Sequence, residues 1–188
     1  MLRAILNRQI RALERGFDYD ASYMRDILAV RPWGLLKFGL VASLGRGRGA
    51  PAEALAAATI VGTLAEDCGP CTQITVDIAV RGGVAPETLR AILAGDTAGM
   101  GEAASLAWRF CRASLARDLI ACDPPRDEIV RRWGKGGLVD IAMALMAART
   151  YPTLKYALGH GQACSRVTVA GAPAIVAPIP ASPEPMAA

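Results

Sequence analysis

Aromatic residues are scarce in this sequence, and histidine occurs only once. Phe, Trp and Tyr make up 5% of the 188 residues, whereas apolar residues as a whole make up 53%. The apolar excess therefore comes mostly from Ala, Leu, Ile and Val. A chain of this length can bury one good hydrophobic core. Its Ala-rich, aromatic-poor composition favours closely packed helices.

The sequence also lacks the pattern of a signal peptide or a membrane-spanning helix. Charged residues recur every few positions up to Asp26, which leaves no uninterrupted apolar stretch before a cleavage site. The most apolar run, Trp33 to Leu44, is shorter than the roughly 20 residues that a spanning helix needs, and we expect it to be buried. These features predict a cytoplasmic protein with no integral membrane segment.

Positive charge is mild and dispersed. The chain has 21 Lys and Arg against 17 Asp and Glu, a net charge of +4. Nucleic-acid-binding surfaces are usually more basic and more localised, so no nucleic-acid partner is expected. Four arginines between Arg3 and Arg15 alternate with apolar residues. This spacing predicts a docking helix with a solvated basic face, and contact with a membrane surface is the alternative.

Glycine and proline divide the chain into apolar segments of helical length. The predicted helices cover about residues 2–15, 21–30, 35–44, 51–68, 70–82, 86–95, 101–120, 123–134 and 138–149, with one more turn at 154–158 after a kink at Pro152. No persuasive two-residue periodicity appears before residue 166. The fold class predicted from this pattern is all-α.

The predicted organisation is a single helical domain over residues 1–170, with an N-terminal helical extension at 1–48. From Gly171 the composition changes, since GAPAIVAPIPASPEPMAA has five prolines and one charge. This composition predicts an extended, polyproline-like tail at 171–188 rather than a packed element. The apolar residues Ile175, Val176 and Ile179 could let the tail lie on a neighbouring subunit.

Five cysteines are present, and only Cys68 and Cys71 form a close pair, in EDCGPC. Such usage in a cytosolic chain indicates free thiols plus one reactive or metal-binding dithiol. A zinc-stabilised module is the weaker alternative, because zinc takes about four ligands and no second close pair is present. The remaining ligands, Cys111, Cys122, Cys164 and His160, would have to converge from distant segments.

The pair has a physical basis for redox chemistry that needs no cofactor. If a helix begins again at Pro70, its free N–H groups and its dipole favour a thiolate there. One thiolate could attack a hydroperoxide, and the other cysteine could trap the sulfenic acid as a disulfide. The spacing alone does not show which cysteine attacks.

The order of these segments resembles the alkylhydroperoxidase D-like, or carboxymuconolactone decarboxylase, superfamily. A helix leads into CxxC, a second helix follows, and then come GGVAPETLRAIL and LVDIAMALMAARTYPTLKYALG, over about residues 51–166. The resemblance implies an all-helical homo-oligomer, a trimer or hexamer, with a thiol peroxidase or disulfide reductase centre. It also implies that Cys71 attacks and Cys68 resolves. The implied reductant is a dithiol, such as a lipoyl group or a thioredoxin-like protein.

The sequence departs from the superfamily at the proton relay. The family histidine and glutamate fall on Thr75 and Ala56, and threonine cannot titrate near neutrality. Glu66, two residues before Cys68, is the best replacement base, and His160 is a second candidate. We therefore expect a thiol-disulfide oxidoreductase or weak hydroperoxidase that acts on a hydroperoxide or disulfide substrate. The alternative is a non-catalytic oligomeric member that works through assembly or partner binding.

Overall fold

The computed structural model describes residues 1–161 and 166–179. In this part of the chain, eight α-helices precede a pair of very short strands. The elements are α1 (Leu2–Phe17), α2 (Ser22–Val30), α3 (Pro32–Leu44), α4 (Ala52–Leu64), α5 (Gly69–Arg81), α6 (Pro86–Ala94), α7 (Gly101–Ala116), α8 (Leu119–Ala157), β1 (Thr168–Val169) and β2 (Ala172–Pro173). The predicted all-α class is confirmed.

Helix α6 shows how local sequence sets the helix ends. Pro86 begins the helix, where its missing N–H costs no hydrogen bond, and Glu87 lies in the first turn. Gly95 ends it in a left-handed conformation with φ 69°, which glycine adopts without a steric penalty. Both ends agree with the prediction.

Helix α4 lies in the larger hydrophobic core and packs against α5, α7 and α8. It is apolar on almost every face, and Ala57, Ile60 and Val61 are fully buried. A Cβ atom at Gly62 would lie 2.9 Å from the carbonyl oxygen of Leu145 in α8. The small residues of α4 therefore allow a close approach between the two helix backbones.

Helix α8 is divided by Gly134, whose backbone has φ 69° and ψ 178°. This break agrees with the predicted helix end at Gly134. The predicted interruption at Pro152 is not observed, because the helix continues through Pro152 to Ala157 with helical backbone angles. Contacts hold the turns around the proline: the Tyr151 ring lies 4.8 Å from Phe38, and Lys155 packs on Tyr19.

Helices α1 to α3 enclose a second, smaller hydrophobic cluster. Its buried residues are Leu6, Ile10, Tyr19, Ala21, Tyr23, Leu28 and Leu35. Ile74 of α5 packs against it, and the Arg81 guanidinium lies 4.0 Å from the centre of the Phe17 ring. The basic face of α1 is exposed, as predicted. The N-terminal helices therefore contact the helix that follows the CxxC motif.

The exposure of helix α3 differs from the prediction that the run from Trp33 to Leu44 is buried. Leu35 is buried, but Trp33 and Leu40 are 68% and 63% exposed. The helix is apolar all round and packs against α1, α2 and α8 on one side only. Tertiary packing therefore leaves an apolar face that the sequence alone suggested would be covered.

The start of the proline-rich tail also differs from its prediction, because it packs on the core. Strand β1 pairs antiparallel with β2, and the turn between them contains Gly171 with φ 78°. The amide of Ala177 then donates to the carbonyl of Leu93 at 2.9 Å, and Ile179 packs against the core. The rest of the predicted tail, 180–188, lies outside the described residues.

None of the helices within residues 1–161 and 166–179 combines the length and apolar character needed to cross a membrane.

Candidate active site

Cys68 and Cys71 form a disulfide at the beginning of α5, with their Cα atoms 5.2 Å apart. Cys68 is the N-cap residue, and Pro70 lies in the first turn. The predicted helix restart at the dithiol is therefore confirmed. In the reduced protein, a thiolate at this helix end would be stabilised by the free N–H groups and the helix dipole.

Both sulfur-bearing residues are buried, since Cys68 and Cys71 are each 3% exposed. A small peroxide needs only a narrow path to such a pair. A protein-sized disulfide would need the surrounding residues to move, because exchange requires direct attack on a sulfur atom. Burial therefore favours small oxidants over large disulfide substrates.

Uncharged hydroxyl groups surround the start of α5. The buried Thr72 hydroxyl lies 3.1 Å from the Thr63 hydroxyl of α4 and 3.0 Å from the Cys68 carbonyl oxygen. Thr75, at the position where the resemblance implies a histidine, donates to the Thr72 carbonyl at 2.8 Å. Ala56, at the position where the resemblance implies a glutamate, is buried in α4. Hydroxyl and methyl groups thus occupy the two positions where the resemblance implies titratable side chains.

Glu66 is held against α8 by Arg149. The Arg149 Nε donates to Glu66 Oε1 at 2.6 Å, and the Thr153 hydroxyl donates to Oε2 at 3.4 Å. Glu66 remains two residues from Cys68 in the chain, but its described contacts go to α8. These contacts support a role in positioning the loop before the dithiol.

His160, the other candidate base, bonds to α2. Its Nε2 lies 2.8 Å from Asp26 Oδ2, and its Nδ1 lies 3.3 Å from the Ser22 hydroxyl. Both ring nitrogens therefore have partners in the N-terminal helices. This placement ties the chain that follows α8 to α2.

Sequence reasoning missed a buried lysine close to His160. Lys155 is 4% exposed, and its Nζ lies 5.0 Å and 5.6 Å from the ring centres of Tyr19 and Tyr23. Burial lowers the pKa of Lys155, and the nearby Asp20 carboxylate partly opposes this. Burial also raises the pKa values of Tyr19 and Tyr23. The tyrosines are distant in sequence from Lys155, so no local pattern signalled the cluster.

An apolar groove of about 670 Å³ lies between α3, α7 and α8. Its lining includes Phe38, Leu115, Ala142, Met146, Leu154 and Ala157. Arg149 and Thr153 also line it, and both contact Glu66. Two residues of α8 therefore both line the groove and contact the loop before Cys68.

The other described cysteines belong to the core. Cys111 is fully buried, and burial raises the pKa of its thiol. Cys122 is buried too, with its sulfur 3.4 Å from the Ser114 hydroxyl. Cys164 lies outside the described residues. Among those described, no group of three or more His, Cys, Asp or Glu side chains is placed to hold a metal ion.

Comparison of the chain with protein-family models, with curated proteins and with solved structures finds no match. The resemblance to the alkylhydroperoxidase D-like superfamily therefore rests on the residues of this chain alone. Those residues place one disulfide-forming pair at the N-terminus of a helix in an all-α fold.

Proposed function

We propose that this protein is a thiol-disulfide oxidoreductase or weak hydroperoxidase that uses Cys68 and Cys71. The observation that carries the proposal is the disulfide between them at the first turn of α5. Both cysteines belong to one helix start, with their Cα atoms 5.2 Å apart. Oxidation of the two thiols to a disulfide therefore takes place within four consecutive residues.

The chemistry follows from the two thiols. The Cys71 thiolate attacks the distal oxygen of a hydroperoxide, which breaks the O–O bond and releases an alcohol after protonation. The Cys68 thiol then attacks the Cys71 sulfenic acid, which releases water and forms the disulfide. An external dithiol reduces the pair again through a mixed disulfide. The assignment of attack to Cys71 follows the resemblance.

We expect the reaction of the cysteine pair with hydroperoxide to be slow because of the side chains around the pair. Thr75 cannot act as a general base near neutral pH, and a positioned base contributes about 10²–10⁴-fold to such a step.

The proposal includes a cytoplasmic homo-oligomer, a trimer or hexamer. A dithiol such as a lipoyl group or a thioredoxin-like protein serves as reductant, and a protein of that size reaches the buried pair only when the surrounding residues move. No cofactor takes part in the steps described.

Peptide-mapping mass spectrometry tests the proposal. Reduced protein is exposed briefly to less than one equivalent of hydroperoxide, and the modified cysteines are identified. We expect the Cys68–Cys71 disulfide to form before Cys111 or Cys122 is modified, and the Cys71→Ser variant to stop consuming oxidant. Equal oxidation of all cysteines, or an unchanged rate in Cys71→Ser, would reject the proposal.

A second candidate is a non-catalytic protein in which the pair is structural and assembly or partner binding is the function. The burial of both cysteines and the presence of Thr75 and Ala56 at the relay positions favour it. It predicts that the reduced thiols alkylate slowly in the native protein. Fast and selective labelling of the pair would count against it.

A further inference from the structure

Lys155 differs from the other two lysines of the chain because it is buried. Its side chain is 4% exposed, whereas Lys37 and Lys135 are exposed. The Nζ atom of Lys155 lies over the ring of Tyr19, which precedes α2, and over the ring of Tyr23 in α2. The amine is therefore enclosed where the N-terminal helices meet the end of α8.

The Lys155 amine lacks the partner that a buried ammonium normally has. Across residues 1–161 and 166–179, it forms neither an ion pair nor a hydrogen bond. The Asp20 carboxylate acts on it only through charge, and that carboxylate accepts hydrogen bonds from the amide and hydroxyl of Ser22. The aromatic faces attract an ammonium but replace none of its hydrogen bonds to water. Burial therefore lowers the pKa of Lys155 and favours the neutral amine.

The hydroxyl of Tyr23 is a second group without a partner. Tyr23 is fully buried, and its hydroxyl has no hydrogen-bond partner in the part of the chain that the structure describes. The Tyr19 phenol interacts with it electrostatically, but the two groups do not meet at hydrogen-bond geometry. The rings of Phe38 and His160 flank the Tyr23 ring, with centres 6.4 Å and 6.3 Å away. A buried hydroxyl of this kind is unfavourable until an acceptor reaches it.

We propose that the Lys155 amine binds carbon dioxide covalently and reversibly, as a carbamate whose oxygens accept a hydrogen bond from the Tyr23 hydroxyl. The lone pair of the neutral amine attacks the carbon of CO₂, so an N–C bond forms and one C=O π bond opens to give a carboxylate. The nitrogen loses one proton, which passes to water. Nothing is oxidised or reduced. The inference goes beyond the proposed thiol chemistry and does not rest on it.

Carbon dioxide suits this site better than a free anion or a larger electrophile. A free anion would have to lose its hydration shell before it entered a site walled by aromatic rings, whereas CO₂ carries no charge until it reacts. An aldehyde would form an imine, which has no oxygen to accept from the Tyr23 hydroxyl. The 4% exposure of Lys155 leaves only a narrow approach. We therefore expect the smallest electrophile to react.

The charges around the amine indicate that the carbamate is held weakly. The described titratable groups of this cluster are Tyr19, Asp20, Tyr23, Tyr151 and His160. The negative charge of Asp20 opposes a carbamate and also favours the protonated amine. Both effects oppose the adduct, so it should form reversibly.

Carbon-13 NMR of the full-length protein in [13C]bicarbonate at pH 8 tests the proposal. Bicarbonate supplies dissolved CO₂, and a carbamate carbon gives a resonance distinct from both. We expect a carbamate resonance in the wild type that disappears in Lys155→Met, and Lys155→Gln replaces that variant if it does not fold. Lys37→Met and Lys135→Met are the matched controls, because both lysines are exposed. Each control should keep the resonance.

Two further variants test the contacts of the carbamate. Tyr23→Phe removes the donor and should lower the equilibrium constant for carbamate formation by about 10-fold or more, because a hydrogen bond to a charged group is lost. Its thermal stability should stay equal or rise, because the hydroxyl has no partner to lose. Asp20→Asn removes the opposing charge, keeps an acceptor for Ser22 and should raise the equilibrium constant several-fold.

Absence of a resonance that depends on Lys155 overturns the proposal, as does an unchanged equilibrium constant in Tyr23→Phe. Alkylation of the carbamate oxygen with a trialkyloxonium salt, followed by peptide-mapping mass spectrometry, locates the adduct. Equal labelling of Lys37, Lys135 and Lys155 would show ordinary amine reactivity and also overturns the proposal. The Cys71→Ser variant should form the carbamate normally, so loss of thiol activity and loss of carbamate are separate results.

Discussion

The hydroxyl of Tyr156 in α8 donates a hydrogen bond to the backbone carbonyl of Asp67 at 2.9 Å. Asp67 directly precedes Cys68 and has a left-handed backbone with φ 48°, a conformation that costs free energy in a residue other than glycine. Arg149 holds Glu66 one residue earlier. Helix α8 therefore fixes both residues that lead into the dithiol.

We predict that Tyr156→Phe loosens this loop. Loss of one hydrogen bond should lower the free energy of unfolding by about 0.5–1.5 kcal/mol. It should also speed alkylation of the reduced Cys68 and Cys71 thiols, because the segment that leads into Cys68 is less restrained. Urea denaturation and timed alkylation measure the two effects. An alkylation rate equal to that of the wild type would show that Tyr156 does not control access.

Introducing the proton relay that the resemblance implies should raise the rate of reaction with peroxide. In the double variant Ala56→Glu with Thr75→His, a titratable base stands at each relay position, and we expect disulfide formation by hydroperoxide to accelerate by about 10²-fold. The control is Ala56→Gln with Thr75→Gln, which adds similar volume without a titratable group. Equal rates in the two double variants would contradict a proton-transfer limit and favour the non-catalytic alternative.

The close contact of α4 with α8 predicts a strong effect of a single methyl group. Gly62→Ala places a Cβ 2.9 Å from the Leu145 carbonyl and from the Ala148 side chain, and separating the helices should cost about 1–3 kcal/mol. Gly39→Ala in α3 is the control, because its Cβ would meet no atom within 4 Å. Thermal unfolding should show Gly62→Ala destabilised and Gly39→Ala unchanged or up to about 1 kcal/mol more stable.

The lowered pKa of Lys155 predicts that the free energy of unfolding changes with pH. Burial lowers its pKa from the ordinary value of 10.5. Between the lowered native pKa and 10.5, the unfolded chain binds a proton that the native protein does not, so this group makes the native state more stable as pH rises. The Lys155→Met variant has no amine at this position, so its native state should not gain this stability as pH rises.

Urea unfolding of both proteins at pH 8 and pH 10.5 measures this difference. The wild type should gain stability relative to Lys155→Met at the higher pH. Tyr19 and Tyr23 are present in both proteins, so their own titration largely cancels in the comparison. A stability difference that does not change with pH would show that Lys155 keeps its ordinary pKa in the native protein.

The helices could be predicted from the sequence because their signals are local. Pro86 and Gly95 bound α6, Gly134 interrupts α8, and Cys68 and Cys71 stand at a helix start that Pro70 marks. Each of these features depends on the backbone preferences of one or two residues. The same reasoning identified the disulfide-forming pair, since its members are three residues apart.

Only the tertiary structure decided which groups surround that pair and which apolar faces stay open. The contacts of Glu66 with Arg149 and of His160 with Asp26 join residues more than 80 positions apart, and no local pattern encodes such pairing. Helix α3 is apolar on every side, so its sequence could not show which face would be covered. Local sequence therefore determined where this protein is helical and where its dithiol lies, whereas the packing of distant segments decided what that dithiol can reach.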